Sequence, residues 1–179
     1  MIKTLYQVFQ HWSSKGSVWL YSDPHFDDPD CKLMDPEWLE PQDQIDRLKH
    51  YCHKNDTLLL LGDIGNPKYM EQLKCYKVLI LGNHDQSATK FRPYFDEIYT
   101  GPLIISDKII LSHEPLIQMP YLFNIHGHDH AKWHSNGFNR LNVCSNVIDY
   151  TPISLGKLID SGILKNIPTI HRYAIDKRL

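Results

Sequence analysis

The sequence predicts an α/β protein whose main sheet is parallel or mixed and is covered by helices. Residues 58–61 and 77–81 are two short, largely apolar runs, each followed by a glycine, and such runs are typical of strands buried on both faces. Between them, residues 68–74 predict a short helix that Pro67 opens near its first position. A strand, a helix and a second strand in this order form the βαβ unit of a parallel sheet.

The rest of the first half supplies one further strand and one further helix. Residues 1–12 have mixed periodicity, so helix and strand both remain open there. Residues 17–22 have the composition of a strand. Residues 41–54 predict a helix whose apolar face carries Ile45, Leu48, Tyr51 and Cys52. Residues 26–41 are rich in proline and aspartate and predict a loop, whose length indicates a functional role or disorder.

The second half has a different order of predicted elements. Strands are predicted at residues 103–106, 108–112, 122–126 and 140–144, followed by a helix at residues 154–161 that Gly162 ends. Because these strands follow one another without helices between them, we expect antiparallel or mixed pairing. No repeat or linker interrupts the chain, so we expect a single domain over residues 1–179.

Composition restricts the class of protein. Of the 179 residues, 42% are hydrophobic and 22% charged, which excludes disordered and fibrous classes. The formal net charge of −2 disfavours extended nucleic-acid binding, although a short strand stays compatible with it. The four cysteines form no Cys-x-x-Cys pair and indicate free thiols in a reducing compartment. With no secretory signal at residues 1–10 and no run of membrane-spanning length, we expect a cytoplasmic protein without membrane contact.

Side chains that can bind metal follow five of the predicted strands. They are Asp23 and His25, Asp63, Asn83 and His84, His113, and His128 and His130. In Asp-x-His and His-x-His the two side chains lie at i and i+2, so on an extended backbone they point the same way. The glycines before Asp63, Asn83 and His128 fit tight turns with close backbone approach. Side chains that follow the strands of an open α/β sheet meet where such sheets bind ligands.

The number of candidate ligands indicates more than one ion. Two carboxylates, one amide oxygen and four imidazoles are too many for a single tetrahedral ion, and they suit two ions that share a carboxylate. A mixed nitrogen and oxygen set without thiolate fits Mn²⁺, Fe, Zn²⁺ or Ni²⁺, and the residues do not choose among these metals. Our expectation is Mn²⁺.

The ordered blocks resemble the five motifs of the calcineurin-like metallophosphoesterases. The blocks are Asp23-Pro24-His25, Gly62-Asp63, Gly82-Asn83-His84-Asp85, His113 and Gly127-His128-Asp129-His130. The resemblance spans about residues 17–155 and is strongest to the small single-domain bacterial phosphoesterases, which the segments at 141–143 and 150–155 also resemble. It implies a four-layered αββα sandwich of two mixed sheets flanked by helices, with the metal site at the carboxyl ends of the strands.

The resemblance also implies a role for each ligand. The first metal ion would be held by Asp23, His25 and His130. The second metal ion would be held by Asn83, His113 and His128. Asp63 would bridge the two ions.

The same resemblance implies the chemistry. His84 would contact the phosphate and protonate the leaving group, with Asp85 orienting it. We therefore expect an enzyme that hydrolyses a small phosphate monoester or diester by attack of a metal-bridging hydroxide. One departure concerns the first block, because close relatives often have Asp-x-His-Phe-Gly-His where this chain continues Phe26-Asp27-Asp28-Pro29. The second histidine of that pattern is absent.

Three alternatives remain open. The first is a nuclease or a cyclic-nucleotide phosphodiesterase. The slightly acidic charge and the lack of a second domain count against a nuclease. A non-catalytic scaffold of the same fold would tend to lose ligands, and none is missing. A protein that stores or senses metal would have no use for the His84-Asp85 pair.

Three other side chains could contribute to a substrate pocket. Trp38 could line such a pocket, but aromatic residues belong to the core first. Lys132 and His134 could face a phosphate, but solvent is the preferred interpretation.

Overall fold

The computed structural model describes residues 1–131 and 137–168, so the predictions for Lys132 and His134 lie outside the described residues. Within these ranges two β-sheets form the centre of the molecule. Their strands are β1 (Val18–Tyr21), β2 (Thr57–Leu60), β3 (Tyr76–Ile80), β4 (Glu97–Tyr99), β5 (Leu103–Ile104), β6 (Ile109–Leu111), β7 (Phe123–His126), β8 (Arg140–Asn142) and β9 (Ile153–Ser154).

The first sheet has the strand order β4-β3-β2-β1-β9. Strands β1 to β4 are parallel neighbours, and β9 pairs antiparallel with β1. Because Tyr21 is opposite Leu60, and Leu60 is opposite Leu79, the parallel strands end at the same edge. The three strands predicted in the first half are confirmed, whereas β4 and β9 were not predicted.

The second sheet has the order β5-β6-β7-β8. Its first pair is antiparallel and the other two pairs are parallel, which confirms the predicted mixed pairing. The parallel strands β6 and β7 are joined by residues 112–122, among which the structure assigns no helix.

Short helices surround the sheets. The α-helices are α1 (Cys31–Met34), α2 (Pro41–Tyr51), α3 (Ala88–Phe91) and α4 (Leu155–Asp160), and two 3₁₀ helices span Gln7–Ser13 and Pro67–Gln72. The helix predicted at residues 68–74 is therefore 3₁₀ rather than α; Asn66 caps it by accepting a hydrogen bond from the Lys68 amide. The prediction of a loop at residues 26–41 is wrong in one respect, because this segment contains the single turn of α1. None of the helices in the described ranges is long and apolar enough to cross a membrane.

The apolar run of β2 supplies two hydrophobic cores. Leu59 and Leu61 belong to a cluster that both sheets share, together with Val78 and Ile125. Leu58 and Leu60 belong to a second cluster that includes residues of α2. Successive residues of a strand point to opposite faces, so a central strand with a core on each side is apolar at every position. Two mixed sheets with flanking helices make up the predicted αββα architecture.

Candidate metal centre

The predicted ligands meet where the strands end. Asp23, Asp63 and Asn83 follow the parallel strands β1, β2 and β3, while His113 and His128 follow β6 and β7 of the second sheet. Among the described residues, two groups of these side chains offer ligand atoms that lie within 4.8 Å of one another. The first group is Asp23, His25 and His130, and the second is Asp63, His113 and His128.

The first group has the properties of an open cation site. Asp23 Oδ1 lies 3.9 Å from His25 Nε2 and 3.7 Å from His130 Nε2, which is too far for hydrogen bonds. The Asp23 Oδ1 and His25 Nε2 atoms are buried and have no hydrogen-bond partner among the described residues. Buried polar atoms are costly when unpaired, and a divalent ion with bonds of about 2.0–2.2 Å to such atoms would satisfy both of them. The residues present therefore fit a metal ion.

The second group is more tightly drawn together. His113 Nε2 lies 2.7 Å from Asn83 Oδ1 and 3.3 Å from Asp63 Oδ2. His128 Nδ1 lies 3.1 Å from the same Asn83 oxygen. The amide oxygen of Asn83 is thus directed at these two histidines. That Asn83 binds a metal ion with them stays a prediction.

Asp63 lies between the groups. Its Oδ2 atom is 3.7 Å from His25 Nε2 on one side and 3.3 Å from His113 Nε2 on the other. Its Oδ1 atom accepts a hydrogen bond of 2.9 Å from the His84 amide. One carboxylate oxygen is therefore within reach of ligands from both groups.

The electrostatics of this region favour positive charge. Burial alone lowers the pKa of His113, but its hydrogen bond to Asp63 and the charges of Asp23 and Asp63 outweigh burial and raise the pKa to about 9. Burial likewise raises the pKa of Asp63, but the hydrogen bond and charge of His113 outweigh it, so the net shift is downward. A site that stabilises a proton between these groups also suits a cation, which can replace that proton.

The backbone at the ligands is not extended. Asp23, His25, Asp63 and His128 have φ values of 54°, 45°, 53° and 68°, in the left-handed region. The expectation that i and i+2 side chains converge from an extended backbone was therefore wrong, and these turns bring the side chains together instead.

Close approach explains two glycines. A Cβ atom on Gly82 would lie 2.2 Å from Asp63 Oδ1, and one on Gly127 would lie 2.1 Å from Asp23 Oδ2. A side chain at either position would displace a predicted ligand, so the structure confirms the close approach expected at these turns.

Comparisons with known proteins identify the family. A sequence model of the calcineurin-like phosphoesterases matches residues 16–169. The chain belongs to this family. Among solved structures, a protein of unknown function from Aquifex aeolicus is 28% identical over 81% of this chain and 98% of that chain, with a TM-score of 0.69. A nuclease from Pseudomonas putida is 20% identical over 67% of this chain and 64% of that chain, with a TM-score of 0.48. None of the curated proteins matches the chain.

In this calcineurin-like phosphoesterase, His84 lies beside both groups of ligands without joining either. Its side chain is 66% exposed, and Nε2 is 4.0 Å from Asp63 Oδ2. The imidazole packs edge-on against His25, with ring centroids 5.5 Å apart. Its exposure leaves the imidazole accessible to a bound molecule.

Asp85 contacts the backbone. Its carboxylate accepts hydrogen bonds from the amides of Asp63 (2.8 Å), Ile64 (3.1 Å) and Gly82 (3.0 Å). Among the described residues these are its hydrogen bonds, and none goes to the His84 imidazole. Burial and, to a lesser extent, the charge of Asp63 raise the pKa of Asp85, and together they outweigh the backbone hydrogen bonds that lower it. We therefore replace the predicted orienting contact with a role in fixing the turns that carry Asp63 and Asn83.

Several supporting residues were missed at the sequence level. Asp23 Oδ2 accepts hydrogen bonds from the Ser22 hydroxyl, the His128 amide and the Cys144 thiol. His130 Nδ1 lies 3.1 Å from Asn146 Oδ1. Except for Ser22, which directly precedes Asp23, these partners come from other parts of the chain, and the only sequence signal for Cys144 and Asn146 was the resemblance of the segment just before them.

An open cleft lies beside His84. Its volume is about 410 Å³, and its lining includes His25, His84, Asp27, Asp28 and Lys90. Trp38 is only 6% exposed and lines an adjoining pocket of about 430 Å³, which shares His25, Asp27 and Asp28 with this cleft. Its ring lies 6.1 Å from that of His25 and 5.5 Å from that of His130. It packs behind two predicted ligands of the first group.

Proposed function

We propose that the chain is a two-metal phosphoesterase that hydrolyses a small phosphate monoester or diester. The observation that carries the proposal is the position of Asp63 Oδ2, which is 3.7 Å from His25 Nε2 and 3.3 Å from His113 Nε2. Two ions that clamp a phosphate lie about 3.5–4 Å apart, and a carboxylate within reach of both sets of ligands would help to hold them together.

The ligands divide into two sets around Asp63. The first ion would be held by Asp23, His25 and His130, and the second by Asn83, His113 and His128. When bound, two divalent ions lower the pKa of a water molecule and neutralise charge on phosphate oxygens. The donors are nitrogen and oxygen atoms without thiolate, which fit Mn²⁺, Fe, Zn²⁺ or Ni²⁺ alike, and we propose Mn²⁺ as the ion to test first.

His84 is the proposed general acid. Its ring borders the open cleft, so it can reach the leaving-group oxygen of an ester bound there. Its backbone amide is fixed to Asp63 Oδ1, which keeps the residue beside the shared ligand. Transfer of the His84 proton to the departing oxygen would contribute about 10²–10⁴-fold to the rate.

Replacement of His84 tests the proposal directly. We expect His84→Ala to bind two Mn²⁺ ions per chain but to hydrolyse an alkyl phosphate about 10²–10⁴-fold more slowly than the wild type. His50→Ala is the matched control, because His50 is an exposed histidine on α2. Hydrolysis is measured on a monoester, a bis-aryl diester, cyclic nucleotides and single-stranded DNA, and metal content by mass spectrometry.

The outcomes separate the alternatives. Unchanged activity of His84→Ala would exclude the general-acid role. Far fewer than two bound ions per chain, even after incubation with Mn²⁺, would indicate a scaffold, and two bound ions without hydrolysis of any ester would indicate storage or sensing of metal. Preference for cyclic nucleotides or single-stranded DNA would indicate the corresponding phosphodiesterase or nuclease.

A further inference from the structure

Asp28 stands where close relatives often have the second histidine of the first motif. Its Oδ2 atom lies 3.1 Å from His25 Nδ1. Its Oδ1 atom accepts a hydrogen bond of 3.0 Å from the Asp30 amide, so the carboxylate is itself held in place. The side chain of Asp28 is 28% exposed, whereas that of His25 is 6% exposed.

The contact with Asp28 determines which nitrogen of His25 carries the proton. A carboxylate only accepts hydrogen bonds, so a neutral His25 that is bound to Asp28 has its N–H at Nδ1. Its Nε2 atom then carries the lone pair. That atom is buried, has no hydrogen-bond partner among the described residues, and faces Asp23 Oδ1 and Asp63 Oδ2 at 3.9 and 3.7 Å.

We propose that Asp28 is a positioning residue, which sets the tautomer and ring orientation of His25 for the first metal ion. The inference rests on the proposed two-metal function. The edge-on packing of Trp38 against His25 adds a second restraint on the ring.

Two other predicted ligands show the same principle with weaker acceptors. His113 Nδ1 lies 2.8 Å from the Leu61 carbonyl oxygen, and His130 Nδ1 lies 3.1 Å from the Asn146 amide oxygen. Asp28 alone among these three acceptors is a carboxylate. A carboxylate on the outer nitrogen makes the inner nitrogen a more basic ligand, which strengthens its bond to a metal ion.

The same neighbourhood could be mistaken for another cation site. His25, Asp28 and Cys31 offer ligand atoms within 4.8 Å of one another. However, His25 Nδ1 is already bound to Asp28, and burial, followed by the charges of Asp28 and Asp30, raises the pKa of the Cys31 thiol to about 12. A protonated thiol is a poor metal ligand.

Metal affinity tests the proposal without any hydrolysis assay. We expect Asp28→Ala to bind one of its two Mn²⁺ ions about 10–100-fold more weakly than the wild type, measured by calorimetric titration. Asp28→Asn, which keeps a neutral acceptor oxygen, should give a smaller loss. Asp27→Asn is the matched control: it removes a neighbouring negative charge, and the Asp27 carboxylate contacts Asn66 and Tyr69 rather than His25.

The tautomer is read in the metal-free protein by nitrogen-15 NMR of its histidines. The His25 proton should reside on Nδ1 in the wild type and in Asp27→Asn, and should redistribute between the two nitrogens in Asp28→Ala. Unchanged affinity together with an unchanged tautomer in Asp28→Ala would overturn the proposal, as would a third ion that is lost in both Asp28→Ala and Cys31→Ala. Because neither measurement uses a substrate, a failure to hydrolyse esters would count against the proposed function alone.

Discussion

Two carboxylates withdrawn from solvent have opposite surroundings. Glu97, on β4, accepts hydrogen bonds at Oε1 from Trp12 Nε1 (3.0 Å) and the Tyr76 hydroxyl (2.9 Å), and at Oε2 from the Tyr99 hydroxyl (2.6 Å). His11 Nε2 also lies 2.5 Å from Oε1. Asp23 receives its hydrogen bonds at Oδ2, while its buried Oδ1 has no partner among the described residues.

This difference separates stability from function. A satisfied carboxylate contributes to the folded state, whereas a buried oxygen without a partner costs free energy. Glu97 therefore ties the 3₁₀ helix Gln7–Ser13 to the edge of the first sheet. Asp23 keeps one oxygen available at the expense of stability, which is expected of a residue selected to bind a ligand.

The largest expected change in stability comes from truncating Glu97. Glu97→Ala leaves the buried indole N–H of Trp12 and two tyrosine hydroxyls without their acceptor, so we expect a loss of about 2–3 kcal/mol in the free energy of unfolding. Urea denaturation of the metal-free protein measures it. Glu71→Ala, at an exposed glutamate of the 3₁₀ helix Pro67–Gln72, should change stability by less than about 0.5 kcal/mol. If Glu97→Ala and Glu71→Ala were equally stable, the Glu97 carboxylate would not stabilise the fold, and its contrast with Asp23 would be wrong.

Asp23→Asn should raise the free energy of unfolding, whereas Glu97→Ala should lower it. The asparagine oxygen can keep the hydrogen bonds now made to Oδ2, and a neutral amide group would replace the buried Oδ1 atom that has no partner among the described residues. We expect the metal-free variant to be about 1 kcal/mol more stable than the metal-free wild type, because a neutral amide costs less to bury without a partner than a carboxylate oxygen does.

Thermal melting with and without Mn²⁺ checks both consequences of this substitution. Mn²⁺ should raise the melting temperature of the wild type more than that of Asp23→Asn, because the variant lacks a ligand of the first group. A metal-free variant that melts at a lower temperature than the metal-free wild type would show that the buried Asp23 carboxylate does not destabilise the protein.

The smallest expected effect is a pH dependence. Burial raises the pKa of Glu97, but its hydrogen bonds from Tyr99, His11 and Trp12 outweigh burial and hold the pKa below its usual range. The stabilisation is complete above the unfolded value of about 4.3 and is lost as pH falls through the lower folded value.

Glu97→Gln removes this titration. The difference in urea midpoint between the wild type and Glu97→Gln should therefore be greater at pH 6 than at pH 3. Glu71→Gln provides the control for removal of an exposed charge. A difference that does not change with pH would show that the ionised form of Glu97 is not the stabilising one.

Prediction from sequence succeeded where the signal was local. The apolar runs of β2 and β3 and the side chains that follow them identified the centre of the first sheet and the residues that meet there. Strands β4 and β9 were missed because they have only three and two residues and depend on pairing with distant strands. The tighter winding of the helix at Pro67–Gln72 was not indicated by the apolar pattern either.

The support behind the ligands could not be predicted for the same reason. Cys144 lies 121 positions from Asp23, and only the fold brings its thiol to the carboxylate. Asp28 is close to His25 in sequence, but an aspartate in a proline-rich loop gives no sign of which way it turns. The roles assigned to His84 and the ligands remain predictions that the experiments above test.

The left-handed backbone at Asp23, His25, Asp63 and His128 restricts how this centre can change during evolution. Aspartate, asparagine and histidine tolerate that conformation better than most residues with a side chain. They are also oxygen and nitrogen donors for divalent ions. Selection for the shape of the turns and selection for coordination therefore accept nearly the same small set of residues. Most single substitutions at these positions would be disfavoured on both grounds at once, whereas in descendants that no longer need the ions the turns alone would accept glycine as well.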